Sequence, residues 1–81
     1  HRGLTMPPRF AIIYSDVEKK VREMTIEEMR TEIQKLEKKL AEVEQRIPFA
    51  ANEATEDYYK ELRLKLMGQI CAYEYLIQEA A

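Results

Sequence analysis

The chain has 81 residues, of which 35% are charged, and its formal net charge is −2. This length allows one small domain, and the single cysteine excludes an internal disulfide. The near balance of acidic and basic residues argues against nucleic-acid binding, because contacts to phosphates need a concentrated basic surface. We therefore expect stability to come from regular helix packing and self-association.

The first nine residues are rich in proline and glycine and are predicted to form a disordered tail. Residues 1–5 are interpreted as foreign to the natural protein, with Met6 as its start. Residues 10–81 are predicted to form a single helical domain. No apolar run approaches the ~20 residues that cross a bilayer, so we expect no membrane contact. A lone thiol without an export signal favours a cytoplasmic location.

Residues 10–14 form a compact apolar run that allows two interpretations. Ser15 and Glu18 have the spacing of a capping box, which favours a helix that begins after Ser15. We therefore predict an extended apolar arm over 9–14 and a short helix over 16–24. In the alternative, which stays open, apolar positions 10, 13, 14, 17, 21 and 24 form one face of a continuous helix.

The next segment carries a regular apolar seam in unbroken 3–4 spacing. Thr25 and Glu28 form a second capping box, and Pro48 marks the end, so a helix is predicted over 26–47. A seam of this kind must lie against another helix, because a lone helix would leave it in water. The seam consists of Ile26, Met29, Ile33, Leu36, Leu40, Val43 and Ile47.

A last helix is predicted over 53–78, capped by Asn52 or Thr55. The connection over 48–52 is short, and its closure costs little entropy, so it favours an antiparallel hairpin within one chain. A parallel coiled coil between two copies is the alternative. The predicted fold is thus all-α: a coiled-coil-like helical hairpin, paired with a second copy into a helical bundle.

The last helix has more apolar surface than a hairpin partner needs. One stripe, which suits the seam, consists of Tyr59, Leu62, Leu66, Ile70, Tyr73 and Ile77. A second stripe consists of Leu64, Met67, Cys71 and Tyr75. Gly68 lies beside the second stripe and predicts a close approach by another helix. Because a soluble monomer rarely exposes so much contiguous apolar area, we expect the second stripe to be covered by a partner.

The sequence offers no pattern that predicts catalysis, a cofactor or a metal site. Cys71 sits on an apolar stripe and is interpreted as an inert thiol, because its only candidate base is His1 in the predicted tail. The seam contains no carboxylate, and Gly3 and Gly68 are too isolated for a phosphate-binding loop. We therefore expect a protein that is not an enzyme.

The sequence predicts a protein–protein interaction module: a small adaptor, regulator or assembly subunit that is itself a homo-oligomer, with a dimer favoured. The predicted contact set is Phe10, Ile12, Ile13, Tyr14, Leu64, Met67, Cys71 and Tyr75. The alternative is an acidic inhibitor that blocks a nucleic-acid-handling enzyme or another macromolecule. Its carboxylates would take the place of phosphates, and the candidates are Glu53, Glu56, Asp57 and Glu61.

Overall fold

A computed structural model of the chain describes residues 8–80. Over this range it contains three α-helices, which confirms the predicted all-α class. They are α1 (Pro8–Val21), α2 (Ile26–Arg46) and α3 (Glu53–Ala80), and a 3₁₀ turn (Ile47–Phe49) follows α2. The predicted tail of residues 1–9 falls outside the described residues, except for its last two, which lie in α1.

Helix α1 corrects the prediction for the N-terminal part of the chain. The structure has no extended arm at residues 9–14, because these residues lie within α1, and the helix predicted over 16–24 instead covers Pro8–Val21. Ser15 therefore lies inside a helix and does not cap one. The apolar face that includes Ile13, Val17 and Val21 packs on the core, and this burial outweighs a local capping motif. Pro8 is well tolerated at the first helical position, where no backbone N–H is needed.

Helix α2 begins with the predicted capping box. The N–H of Glu28 donates to Oγ1 of Thr25 at 3.1 Å, and the N–H of Thr25 donates to Oε1 of Glu28 at 2.8 Å. The helix ends at Arg46, one residue before the predicted limit, and the 3₁₀ turn then carries the chain through Pro48. At the start of α2, two of the four N–H groups that have no partner within the helix thus donate to side-chain oxygens.

Asn52 caps α3, which settles the choice between the two predicted caps. Its side-chain Oδ1 accepts from the N–H of Thr55 at 2.8 Å, and its carbonyl accepts from the N–H of Glu56 at 3.0 Å. The helix continues to Ala80, two residues beyond the predicted end, and Gly68 does not interrupt it. Helix α3 packs against both α1 and α2.

The core lies where α2 and α1 meet α3. Tyr59, near the start of α3, lines a cleft with Gln45 and Arg46, near the end of α2. Further along, Glu32 of α2 lies close enough to Tyr73 of α3 for its negative charge to raise the pKa of the Tyr73 hydroxyl. The buried residues are Val17, Met29, Ile33, Leu36, Val43, Leu66, Ile70, Ala72 and Tyr73. Four of the seven seam residues and three of the six residues in the first α3 stripe are therefore buried, and the others are half-buried.

Tyr73 is the largest side chain in this core and is only 2% exposed. Its hydroxyl oxygen is buried and has no hydrogen-bond partner. Burial raises the pKa of this phenol above its ordinary value, and the negative charge of Glu32 raises it further. An unpaired buried hydroxyl opposes folding, so the rest of the core has to offset its cost.

Candidate interaction surface

The second apolar stripe of α3 remains largely open to solvent. Leu64 is 53% exposed, Met67 45% and Tyr75 44%, and the thiol of Cys71 is also exposed. The spacings of three and four residues place these side chains on one side of the helix. We refer to the four residues as the exposed strip. They form an apolar surface about 16 Å long at 1.5 Å per residue.

Helix α1 borders the exposed strip and covers its neighbour, Gly68. A Cβ atom placed on Gly68 would lie 3.1 Å from Cδ1 of Ile13 and 3.6 Å from Cδ1 of Phe10. The absence of a side chain at residue 68 is what lets α1 come this close. The close approach predicted at the glycine is present, and α1 of the same chain makes it.

Two further contacts fix the direction of α1 on α3. Near the start of α1, the guanidinium of Arg9 lies 3.0 Å from the Glu61 carboxylate. Further along, the Tyr14 ring meets the Tyr75 ring edge-on, with centroids 5.8 Å apart. Because residue numbers rise together along both helices, α1 runs in the same direction as α3. Helix α1 therefore lies alongside the exposed strip from one end to the other.

The eight residues of the predicted contact set fall into two groups. Phe10, Ile13 and Tyr14 are half-buried, because they pack on α3 or its neighbours. Ile12 is 65% exposed and shares a groove of about 460 Å³ with Leu64. The strip residues make up the rest. Helix α1 thus takes up part of the surplus apolar area, and the exposed strip with Ile12 is the part that stays in water.

The tyrosines at the edge of the strip are shielded from ionisation. Burial raises the pKa of Tyr14, and the charges of Glu18 and Glu79 add to the increase. Glu79 raises the pKa of Tyr75, first by hydrogen bonding with its hydroxyl and then by its negative charge. Both phenols are therefore neutral at physiological pH and place hydroxyl groups beside apolar carbon.

Two further aromatic residues are exposed far from the strip. Phe49 is 85% exposed at the 3₁₀ turn, and Tyr58 is 63% exposed in the first half of α3. Phe49 lines a cleft of about 760 Å³ between the end of α2 and the start of α3. Neither belongs to the predicted contact set. A lone phenylalanine beside a proline carries no periodic pattern from which its exposure could be predicted.

The acidic cluster proposed for phosphate mimicry is partly neutralised. Glu56 lies 3.2 Å from the Lys60 ammonium, and Glu61 is held by Arg9. Two of its four carboxylates thus face a cation, which lowers the free negative charge of the cluster. No observation on the described residues favours the inhibitor alternative over a docking role.

Residues 8–80 hold no cluster of three or more His, Cys, Asp or Glu side chains with the arrangement of a metal site. Over the same range, no helix combines the length and apolar character that a bilayer crossing requires. Comparisons of the chain with protein-family models, curated proteins and solved structures gave no match.

Proposed function

We propose that this protein is a non-enzymatic interaction module that binds another protein through the exposed strip. The observation that carries the proposal is the exposure of Leu64, Met67, Cys71 and Tyr75 on one side of an otherwise well-packed helix. Apolar side chains aligned in this way bind partner helices, because burying them releases water from both surfaces. The role that fits is a small adaptor, regulator or assembly subunit of the cytoplasm.

We also propose that α2 and α3 form an antiparallel, coiled-coil-like hairpin, with α1 as a third helix against α3. The pairing of Tyr59 with Arg46 and of Tyr73 with Glu32 supports this arrangement, because one number rises as the other falls. A rigid hairpin would hold the exposed strip straight, so that docking costs little conformational entropy.

Site-specific photo-cross-linking in the source cell tests the proposed function. A photoreactive amino acid at residue 67 probes the strip, and the same group at residue 49 is the matched control on an exposed apolar side chain elsewhere. We expect a discrete cross-linked product from residue 67 that Leu64→Lys abolishes, and none from residue 49. Equal products from both positions, or none from residue 67, would contradict an interaction role for the strip.

A further inference from the structure

We propose that the partner of the exposed strip is a second copy of this chain, with α3 packed antiparallel against α3. This inference rests on the proposed function and names its partner. Two features of α3 support a second copy as partner: the order of apolar side chains along the strip and the charges beside it. Both fit a two-fold symmetric pair, the commonest arrangement of identical chains.

The strip is self-complementary about its midpoint. A two-fold axis between Met67 and Cys71 places Met67 of one chain against Cys71 of the second copy. The same operation places Leu64 against Tyr75 of the second copy, so each end pairs one aliphatic side chain with one ring. All four side chains are exposed in the single chain and would be covered together. Identical patches meeting in this way form a closed dimer and not an open chain of molecules.

The charges on one flank of the strip select the antiparallel direction. Arg63 and Glu74 lie four positions before and seven positions after Met67, on the same side of α3. Within the described residues neither forms an ion pair. They are also about 16 Å apart along the helix, too far to pair within one chain. The antiparallel pair brings Arg63 next to Glu74 of the second copy, and symmetry makes this contact twice.

A parallel pair would lose this attraction. Its two-fold axis would run along the helices and set each flank against the opposite flank of the second copy, so Arg63 and Glu74 would not meet. The flank of Arg63 would instead face the flank of Glu61, whose carboxylate already pairs with Arg9. On the other flank, the antiparallel pair brings Glu61 near Glu79 of the second copy. Arg9 already lies 3.0 Å from Glu61 and supplies a cation at that point. The flank of Arg63 and Glu74 therefore favours the antiparallel arrangement, and Arg9 offsets the repulsion between Glu61 and Glu79 on the other flank.

Charge reversal followed by sedimentation equilibrium tests the inference on the full chain at micromolar concentrations. The single variants Arg63→Glu and Glu74→Arg each turn two attractive contacts into repulsive ones. We expect each to raise the dimer dissociation constant by about tenfold, because exposed ion pairs are individually weak and each variant reverses two of them. The double variant R63E/E74R restores opposite charges between copies and should return the constant to near the wild-type value. Lys38→Glu, on the exposed face of α2, is the matched control and should leave it unchanged.

Each outcome has a defined meaning once circular dichroism shows that the variants keep their helices. A wild-type chain that is monomeric at every concentration overturns the second copy as partner. Weakening by both single variants without recovery in the double variant overturns the antiparallel register. If the chain is monomeric but residue 67 still cross-links to a different protein, this inference fails while the proposed function stands. If neither a dimer nor a cross-linked product from residue 67 is found, the proposed function fails as well.

Discussion

Ile13 packs its terminal methyl group over Gly68: its Cδ1 lies 3.1 Å from the position that a Cβ atom would take there. That distance is shorter than an ordinary van der Waals contact, so an alanine at residue 68 would have to push the methyl aside. The contact joins α1 to the middle of α3, one position from Met67 in the exposed strip. The placement of α1 and the exposure of the strip are therefore linked.

The effect of Gly68→Ala should depend on the side chain at residue 13. Alanine in place of glycine stabilises a helix interior by about 1 kcal/mol. In the wild-type chain the contact with Ile13 Cδ1 should cancel most of this gain. In an Ile13→Val background, which lacks that atom, the full gain should appear in the free energy of unfolding. Urea denaturation of the four proteins measures the difference, and identical gains in both backgrounds would mean that α1 does not pack on Gly68.

Leu36 and Leu64 form a matched pair that separates the core from the strip. Leu36 is 8% exposed in the core, whereas Leu64 is 53% exposed. Leu36→Ala should lower the free energy of unfolding by about 2–5 kcal/mol, because it leaves a cavity. In the dilute monomer, Leu64→Ala should lower the free energy of unfolding by well under half of that amount. Denaturant titration measures both, and equal losses would show that Leu64 is buried.

Tyr73→Phe should not destabilise the protein, although it changes a fully buried residue. The Tyr73 hydroxyl has no hydrogen-bond partner, so removing it deletes an unsatisfied group and keeps the ring. We expect the free energy of unfolding to rise by up to about 1 kcal/mol. Tyr59→Phe, at a half-buried tyrosine of the same helix, is the control and should have little effect. A clear loss of stability in the Tyr73 variant would indicate that the hydroxyl is hydrogen-bonded.

Alkaline pH should weaken the fold through the same residue. Below about pH 10 Tyr73 is neutral in the folded and the unfolded chain, so its contribution does not change. The folded-state pKa is raised by burial and by Glu32, so above about pH 10 the unfolded chain loses its proton first. Stability then falls with rising pH until the folded pKa is passed. Thermal unfolding followed across this range should show a shallower decline for Tyr73→Phe, and parallel curves would contradict the raised pKa.

The sequence predicted the long helices well because their patterns are locally consistent. The Thr25 capping box, Pro48 and the Asn52 cap mark ends that the structure places within a residue or two. Local signals failed at α1, where Ser15 and Glu18 imitate a helix start inside a longer helix. What decides that segment is its packing on α3, together with an ion pair between Arg9 and Glu61, 52 positions apart. Contacts over such separations leave no periodic pattern in a single sequence.

The surplus apolar face of α3 could be predicted, but its division between α1 and solvent could not. Hydrophobic spacing identifies which side chains share a side of a helix, and it does not identify what covers them. Ala72 illustrates this: it is 0% exposed, although alanine contributes little to an apolar stripe. The three-dimensional packing of α1 was needed to show that Phe10 and Ile13 lie over Gly68 and that Met67 stays in water.

Alkylation of Cys71 is the sharpest probe of whether a partner covers the exposed strip, because this single thiol lies within the strip and needs no substitution. In a dilute solution of the single chain, the thiol should react with iodoacetamide as fast as in the urea-unfolded protein at the same pH. At concentrations where the strip is covered by its partner, the reaction should slow by at least tenfold. A thiol protected in the dilute chain, or one that reacts equally fast at every concentration and in the cross-linked complex, would contradict the account.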